Sequence, residues 1–264
     1  MEALKNLSPE KVINVVRAAK NQYLEKKPTL EIYKKGEADF VTQVDVCIQE
    51  FVRAGLESLC PEIQFMGEEK DNHTIDFSKP FWIMDPVDGT TNLIHDFKCS
   101  CISLALCVHG KIVFGVICHL YLNELFYAIR GKGAWLNGKR LSVSRTTELS
   151  QGLICTGTSP YYKKELGASV FEDLKNVYFN CEDIRRTGSA ALDMAWVAAG
   201  RADACFERRL CPWDFAAGII LIEEAGGSVS DFLGAPLEFY KKCDVIGGNG
   251  IINEHIRTRL LTKK

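Results

Sequence analysis

The chain has 264 residues and a formal net charge of −2, and charged residues make up 25% of it. This balance excludes the strong positive charge of many nucleic-acid-binding and membrane-surface proteins, and no run of like charges forms an interaction tail. The first residues lack a basic stretch followed by an apolar one, and no apolar run approaches transmembrane length. We therefore expect a cytoplasmic protein with no membrane or nucleic-acid partner.

Two amphipathic helices open the chain. The first begins at Ser8-Pro9-Glu10, and the second follows Thr42 with Asp45 in its first turn. The polar stretch at 33–39, which includes Lys34, predicts a surface loop between them. Taken alone, Asp45 is as consistent with compensation of the helix dipole as with a functional role.

Two short strands end in acidic residues. A strand at 63–66 ends in Gly67-Glu68-Glu69, and the apolar run 81–84 delivers Asp85 at its carboxyl end. One acid pair after a strand is consistent with a solvated turn. Two in succession indicate ligands that converge on one place.

One motif combines a restricted backbone with accessible backbone amides: Asp85-Pro86-Val87-Asp88-Gly89-Thr90. Proline restricts the chain where the acids are held, and glycine lets backbone amides approach an anion closely. A helix that starts at Thr90 would direct further amides at a phosphate beside cations held by the two aspartates. The motif predicts a metal-phosphate site, although Asp-Pro and Asp-Gly are also ordinary turn dipeptides.

The remaining elements predict two lobes. Antiparallel strands are expected at 101–108, 111–118 and 124–129, with a hairpin at Asn137-Gly138. The second half alternates strands and helices, with strands at 153–156, 177–179 and 202–206. We therefore predict one domain over 1–264, made of an α+β lobe at 1–148 and an α/β lobe at 149–264.

Carboxylates recur at the ends of apolar elements: Glu68, Asp85, Asp88, Asp214 at a helix start, and Asp45. Hard divalent cations prefer oxygen ligands, and Mg²⁺ in particular combines a few carboxylates with water and substrate phosphate. So many acids in one place would repel one another without cations. Jointly they predict a Mg²⁺ site. Eleven cysteines, mostly within apolar runs, indicate reduced, buried thiols that take no part in it.

Three motifs resemble the inositol monophosphatase family of Mg²⁺-dependent, lithium-inhibited phosphatases. They are Gly67-Glu68-Glu69, Asp85-Pro86-Val87-Asp88-Gly89-Thr90-Thr91-Asn92 and Trp213-Asp214-Phe215-Ala216-Ala217-Gly218. Their order and spacing cover most of the chain. The resemblance implies a penta-layered α-β-α-β-α sandwich (the sugar phosphatase fold), a homodimer, and hydrolysis of a small phosphorylated polyol such as inositol 1-phosphate.

The resemblance also implies a role for each site residue. Glu68, Asp85 and the carbonyl of Val87 would hold one Mg²⁺, and Asp85, Asp88 and Asp214 a second, with a weaker third ion near Glu68. Thr90, paired with Asp45, would orient and help deprotonate the attacking water, and Glu68 is expected to take part in catalysis. The amides of Gly89 and Thr90 would bind phosphate. The alcohol would contact Asp88, Ser189, Ala190 and Glu207, and Lys34 would lie in a loop beside the metals.

The substrate stays open at this point. Thr91-Asn92 follows the inositol monophosphatase branch, whereas related adenosine bisphosphate phosphatases carry Lys-Glu there. Arg208 or Arg209 would bind a second phosphate, as fructose 1,6-bisphosphate requires, or both are solvated arginines on a loop. Histidinol phosphate is a further alternative, and so is a Mg²⁺-binding regulatory protein without turnover.

Overall fold

The computed structural model describes residues 8–26, 32–34 and 40–262, which form seven α-helices and fourteen strands. The helices are α1 Pro9–Lys26, α2 Gln43–Leu59, α3 Thr90–Ile94, α4 Lys163–Tyr178, α5 Ala190–Ala198, α6 Pro212–Glu224 and α7 Ile252–Arg259. The strands are β1 Ile32–Lys34, β2 Phe40–Thr42, β3 Gln64–Gly67, β4 Phe81–Asp88, β5 Cys101–Val108, β6 Lys111–His119, β7 Leu125–Ile129, β8 Gly133–Leu136, β9 Lys139–Arg140, β10 Leu153–Thr156, β11 Asp183–Arg185, β12 Ala204–Leu210, β13 Ser228–Asp231 and β14 Cys243–Gly248.

Two main sheets organise these strands. The first has the order β3-β4-β5-β6-β7-β8-β9 and is antiparallel except for its β3-β4 pair. The second has the order β11-β10-β12-β14-β13, with parallel pairs on one side of β12 and antiparallel pairs on the other. A separate two-stranded ribbon, β1-β2, precedes α2.

The hydrophobic clusters define five layers. Apolar side chains of α1 and α2 pack with one face of the first sheet, and α5 and α6 pack between the two sheets. Side chains of α4 and α7 pack on the outer face of the second sheet. The predicted α-β-α-β-α sandwich is confirmed. None of the described helices is both long and apolar enough to cross a membrane.

The middle layer packs closely because small residues line it. A Cβ added at Gly115 of β6 would lie 2.6 Å from Cγ2 of Ile220 in α6, and one added at Gly218 would lie 2.5 Å from Cβ of Met194 in α5. Real side chains are almost never that close, so these glycines let α6 approach the first sheet and α5. All eleven cysteines are free, and most are buried, as the sequence predicts.

Some sequence expectations for local structure are wrong, beginning with two strands. The strand expected at 177–179 is absent, since α4 continues through Tyr178 and the strand lies at Asp183–Arg185. Val177 is fully buried, so its apolar run reflects a helix face packed on the second sheet. In addition, β4 does not stop at Asp85 and continues to Asp88. A short apolar run distinguishes helix from strand poorly, which explains the first error.

Candidate active site

The acids of β4 lie at a bulge inside the strand. Asp85 pairs with Ser103 and Asp88 with Cys101, so two residues of β4 face one residue of β5. Pro86 lies within this bulge, where its missing N–H breaks no ladder bond. The Val87 N–H donates to Asp85 Oδ1 at 2.9 Å. A bulge changes the direction of nearby side chains, and here it turns both aspartates toward one pocket.

The turn after β4 requires glycine. Gly89 has φ 89°, and an added Cβ would lie 2.8 Å from the carbonyl oxygen of Cys99. Thr90 then begins α3, and its hydroxyl lies 3.2 Å from Asp45 Oδ1 and 3.0 Å from the carbonyl oxygen of Val87. Asp45 is 1% exposed in the first turn of α2. The structure therefore brings together the threonine and the aspartate that the family resemblance pairs.

Asp88 is held by the start of α5. Its Oδ2 accepts the Ser189 hydroxyl at 2.5 Å and the Ala191 N–H at 2.7 Å. Ser189 also caps α5 by accepting the N–H of Leu192. Ser189 thus binds a site carboxylate directly, and Ala190 lines the pocket beside it.

Asp214 occupies the first turn of α6, where Pro212 starts the helix. Its Oδ2 accepts the backbone N–H of Cys211 at 2.7 Å. One oxygen therefore satisfies a helix-end amide. Among the hydrogen bonds of the described residues, Asp85, Asp88 and Asp214 each use one carboxylate oxygen for backbone donors in this way.

A single pocket contains these groups: Glu68, Asp85, Val87, Asp88, Gly89, Thr90 and Asp214 all line it. Burial and then repulsion from Glu68 raise the pKa of Asp85 and of Asp214 well above the ordinary value, and burial raises the pKa of Asp88 to about 6. Within the described ranges, no lysine or arginine forms a salt bridge with these three aspartates. A bound divalent cation would relieve this repulsion.

The donor set fits a hard cation. It consists of carboxylate oxygens and one carbonyl, the ligands that Mg²⁺ prefers. Over residues 8–26, 32–34 and 40–262, no three acidic, histidine or cysteine side chains already form a compact ligand cluster. The acids border the pocket, with some of their oxygens committed to backbone amides.

Glu207 and Asp193 also line the pocket. Glu207 Oε1 accepts the N–H of Ser159 at 3.1 Å, and burial raises the pKa of Glu207 to about 7. Asp193 is 4% exposed and accepts the Thr187 hydroxyl at 2.6 Å. The sequence reading missed Asp193. The sequence feature that could have identified it is a single carboxylate within the otherwise apolar helix α5.

The expectation for Arg208 is wrong in both of its forms. Arg208 is neither on a solvated loop nor directed at a substrate phosphate, because its side chain is 5% exposed and bonded to Asp173 and Asp244. Arg209 is exposed, lines the pocket and pairs with Glu165 at 2.8 Å, so its role toward a second phosphate stays a prediction. Strand β12 continues to Leu210, whereas the sequence pattern ended it before Glu207.

Two further cations of the pocket, and Lys34, remain to be compared with the sequence. Arg186 and Lys242 line the pocket and were not identified from the sequence. Arg186 donates to the Thr158 hydroxyl at 3.2 Å, and Lys242 contacts the Tyr162 hydroxyl. Lys34 lies in strand β1, so the surface loop predicted at 33–39 is wrong at its first two residues; the Lys34 side chain and residues 35–39 are outside the described residues.

A family model decides which group of proteins this geometry belongs to. The model described as the inositol monophosphatase family matches residues 3–263. The chain belongs to the inositol monophosphatase family. Membership indicates a phosphatase of this family, one whose members are generally metal-dependent.

Individual relatives carry two kinds of name. The Nus factor SuhB of Salmonella typhimurium is 39% identical over 220 residues, which is 83% of this chain and 82% of the relative. The inositol-1-monophosphatase of Mesorhizobium japonicum is 39% identical over 223 residues, 84% and 83% of the two chains. The crystal structure of the extragenic suppressor protein suhB from Bartonella henselae has a TM-score of 0.90 at 35% identity and covers 97% of this chain and 98% of its own.

Proposed function

We propose that this chain is a Mg²⁺-dependent phosphomonoester hydrolase that releases phosphate from inositol 1-phosphate. The supporting observation is the contact of Thr90 with Asp45 at 3.2 Å on the edge of a pocket that four acids share. A hydroxyl that is hydrogen-bonded to a buried carboxylate can pass a proton to it. The clustered acids supply the cation site that phosphate chemistry requires.

Glu68, Asp85, Asp88, Asp214 and the carbonyl of Val87 would hold two Mg²⁺ ions, with a weaker third near Glu68. When bound, the ions lower the pKa of water and neutralise charge that develops on the phosphate. The single proton of the Thr90 hydroxyl has two acceptors within reach, Asp45 and the Val87 carbonyl. A carbonyl has two lone pairs, so Val87 can accept from Thr90 and still bind a cation.

Thr90 and Asp45 perform the proton step in this proposal. The Thr90 oxygen accepts a proton from the attacking water while its own proton passes to Asp45. The hydroxide so formed attacks phosphorus, the bond to the alcohol oxygen breaks, and the alkoxide takes a proton from solvent, while Asp45 returns its proton to solvent. The amides of Gly89 and Thr90 hold the phosphate oxygens. Glu68 takes part as a predicted metal ligand that lines the pocket.

The alcohol half of the substrate meets carboxylates. Glu207, Asp193, Asp88 and Ala190 line the pocket, and buried Ser189 donates to Asp88. Carboxylates accept hydrogen bonds from hydroxyl groups, and several acceptors around one pocket suit a polyol. Lys34 belongs to this proposal through the family resemblance alone.

Two other substrates have specific support. Arg186 and Lys242 line the pocket without a carboxylate within salt-bridge distance in the described chain, which favours a second phosphate, as on fructose 1,6-bisphosphate. The acids Glu207 and Asp193 favour an ammonium group, as on histidinol phosphate. Arg208 supports neither, because its guanidinium is already bonded inside the protein.

A substrate panel tests the proposal. Phosphate release with Mg²⁺ is measured from inositol 1-phosphate, fructose 1,6-bisphosphate, histidinol phosphate and adenosine 3′,5′-bisphosphate, and kcat/KM is compared. We expect the highest value for inositol 1-phosphate and inhibition by lithium. A higher kcat/KM for another member would replace the substrate, and no turnover of any monoester would refute the enzymatic function.

A binding function is the second candidate, because several relatives are named Nus factor SuhB. In that case the chain would act as a regulatory partner, with or without turnover. The complete acid set and Thr90 favour catalysis, since a protein that only binds has no need of them. The homodimer and the cytoplasmic location stay predictions, which sedimentation of the purified protein and imaging of a tagged chain would test.

A further inference from the structure

Arg208 is an arginine whose guanidinium group is enclosed by the protein. Nε donates to Asp173 Oδ2 at 2.7 Å, and Nη1 donates to Asp244 Oδ2 at 3.1 Å. Nη2 donates to the carbonyl oxygen and the hydroxyl oxygen of Thr262, at 2.8 and 2.6 Å. The group also lies 5.0 Å from the ring centre of Phe232. Three separate segments, namely α4, β14 and the stretch after α7, therefore hold one side chain of β12.

Thr262 closes this arrangement. Its N–H and its hydroxyl donate to Asp173 Oδ1 at 2.8 and 3.0 Å. Asp173 is 1% exposed and faces both Arg208 and Thr262. Both carboxylate oxygens of Asp173 therefore accept hydrogen bonds, so this buried ion pair is fully hydrogen-bonded. Removal of either member would leave the other charge buried and unpaired. Such a network specifies position even where it adds little net stability.

The backbone at Arg208 is irregular, and the same network holds it. Glu207 pairs with Val245 and Leu210 with Cys243, so Arg208 and Arg209 together face Asp244 alone. Arg209 has φ 56°, a left-handed conformation that non-glycine residues adopt at a cost. Asp244 binds both residues of this bulge, the Arg208 side chain through Oδ2 and the Arg209 N–H through Oδ1 at 2.9 Å.

The bulge continues directly into the pocket. The Ser159 hydroxyl donates to the carbonyl oxygen of Arg208 at 2.7 Å, while the Ser159 N–H donates to Glu207 Oε1 at 3.1 Å. Ser159 has φ 44°, so a second left-handed residue meets the bulge. The position of the Glu207 carboxylate therefore depends on the backbone of Arg208, through Ser159 and through the strand itself.

We propose that Arg208, together with Asp173, Asp244 and Thr262, is a positioning clasp that sets the Glu207 carboxylate and so selects the alcohol half of the substrate. This inference rests on the proposed phosphatase function. Arg208 also lines the pocket, but its guanidinium donates to Asp173, Asp244 and Thr262 and to none of the predicted metal ligands. Its loss changes which alcohols are accepted and leaves the cleavage step in place.

Kinetics on two substrates test the clasp. Inositol 1-phosphate offers hydroxyls to Glu207, whereas p-nitrophenyl phosphate offers none. We expect Arg208→Met to raise KM for inositol 1-phosphate about tenfold with kcat nearly unchanged, and to change kcat/KM for p-nitrophenyl phosphate less than about twofold. Thr262→Val, a milder change of similar shape, has the same pattern with a smaller effect. Arg201→Met is the matched control, since Arg201 forms a two-bond pair with Glu124 away from the pocket.

A double variant separates positioning from stability. If Arg208 acts through Glu207, Arg208→Met adds no further loss on inositol 1-phosphate once Glu207→Gln is present. Equal losses on both substrates, or additive losses in the double variant, would overturn the proposal and assign Arg208 to general stability.

Amide hydrogen exchange tests the clasp without measuring enzymatic turnover. The Ser159 and Arg209 amides donate to Glu207 and Asp244, so both should exchange faster in Thr262→Val and Arg208→Met, and not in Arg201→Met. Unchanged exchange at both amides in Thr262→Val would overturn the clasp, including when Arg208→Met fails to fold. If the parent hydrolyses neither substrate, the proposed function fails, and exchange still decides the clasp.

Discussion

The carboxylate of Glu207 occupies the space that a side chain at Gly157 would need. A Cβ built on Gly157 would lie 1.8 Å from Cδ of Glu207 and about as close to both of its oxygens. The clash involves the end of a side chain that can rotate. An added methyl group would therefore move the Glu207 carboxylate and leave the fold intact.

Gly157→Ala should weaken recognition of the alcohol. We expect KM for inositol 1-phosphate to rise about tenfold or more, the range for loss of a hydrogen bond to a charged group, with a smaller effect on kcat. Steady-state kinetics measure both constants. Gly167→Ala is the control, because Gly167 lies in α4 with open space around it. Equal KM values in the two variants would contradict the role of Glu207.

Thr90→Ala should remove the proton route and spare the cation site. The rate constant kcat is expected to fall about 10²–10⁴-fold, the usual range for a proton-transfer group. Mg²⁺ affinity, measured by calorimetry, should stay near that of the parent, and Thr90→Ser should restore most activity. Loss of Mg²⁺ binding with unchanged chemistry would show that Thr90 has a different role.

Asp85→Asn should have opposite effects on stability with and without cation. Burial and repulsion from Glu68 raise the pKa of Asp85, so a neutral amide relieves an unfavourable charge. We expect a higher Tm than the parent in chelator at pH 8, by about 2–4 °C for each kcal/mol of repulsion removed. With excess Mg²⁺ the parent should gain stability, and the variant should gain much less. An equal Mg²⁺-induced shift in Tm would rule out Asp85 as a shared ligand.

His119 gives a pH dependence that is independent of the active site. Burial lowers its pKa to about 4, and its Nδ1 accepts the N–H groups of Tyr121 and Leu122. The unfolded chain takes up this proton near pH 6.5 and the folded chain only near pH 4. The contribution of His119 to the free energy of unfolding is therefore complete above pH 6.5 and is lost as the pH falls toward 4.

Denaturant unfolding at several pH values checks this expectation. His119→Asn keeps a hydrogen-bond acceptor and removes the titration. Between pH 6.5 and 4, the slope of its free energy of unfolding against pH should correspond to the uptake of about one proton fewer on unfolding than in the parent. Parallel plots of the free energy of unfolding against pH for the two proteins would contradict the role of His119. The acidic residues are the same in both proteins, so their contributions cancel in the comparison.

The sequence predicts those parts of the fold and site that depend on local pattern. The acids of β4, Glu68 and Asp214 were found because each follows or opens an apolar element, and the structure gathers them around one pocket. The Thr90 and Asp45 contact and the five layers came from the family resemblance. Asp193 was missed because it occurs singly within a helix, where the sequence marks no turn or strand end.

Arg208 shows where local pattern is insufficient. Its neighbours in sequence, Glu207 and Arg209, are polar, so the stretch resembles an exposed loop. Its partners Asp173, Asp244 and Thr262 lie 35, 36 and 54 residues away. A buried charge depends on contacts of that length, and one sequence contains no sign of which acids will meet it.

The middle layer has a consequence for how the protein folds. The site acids come from residue 45 to residue 214 of the chain, and α5 and α6 bring Asp193 and Asp214 to the pocket only when both sheets have packed on these helices. Contacts this distant in sequence form late, after the cost of closing long loops has been met. A partly folded chain would therefore have no complete cation site. Cations would thus bind only to the chain in which all five layers have assembled. Added Mg²⁺ would therefore slow unfolding and would not speed the first steps of folding.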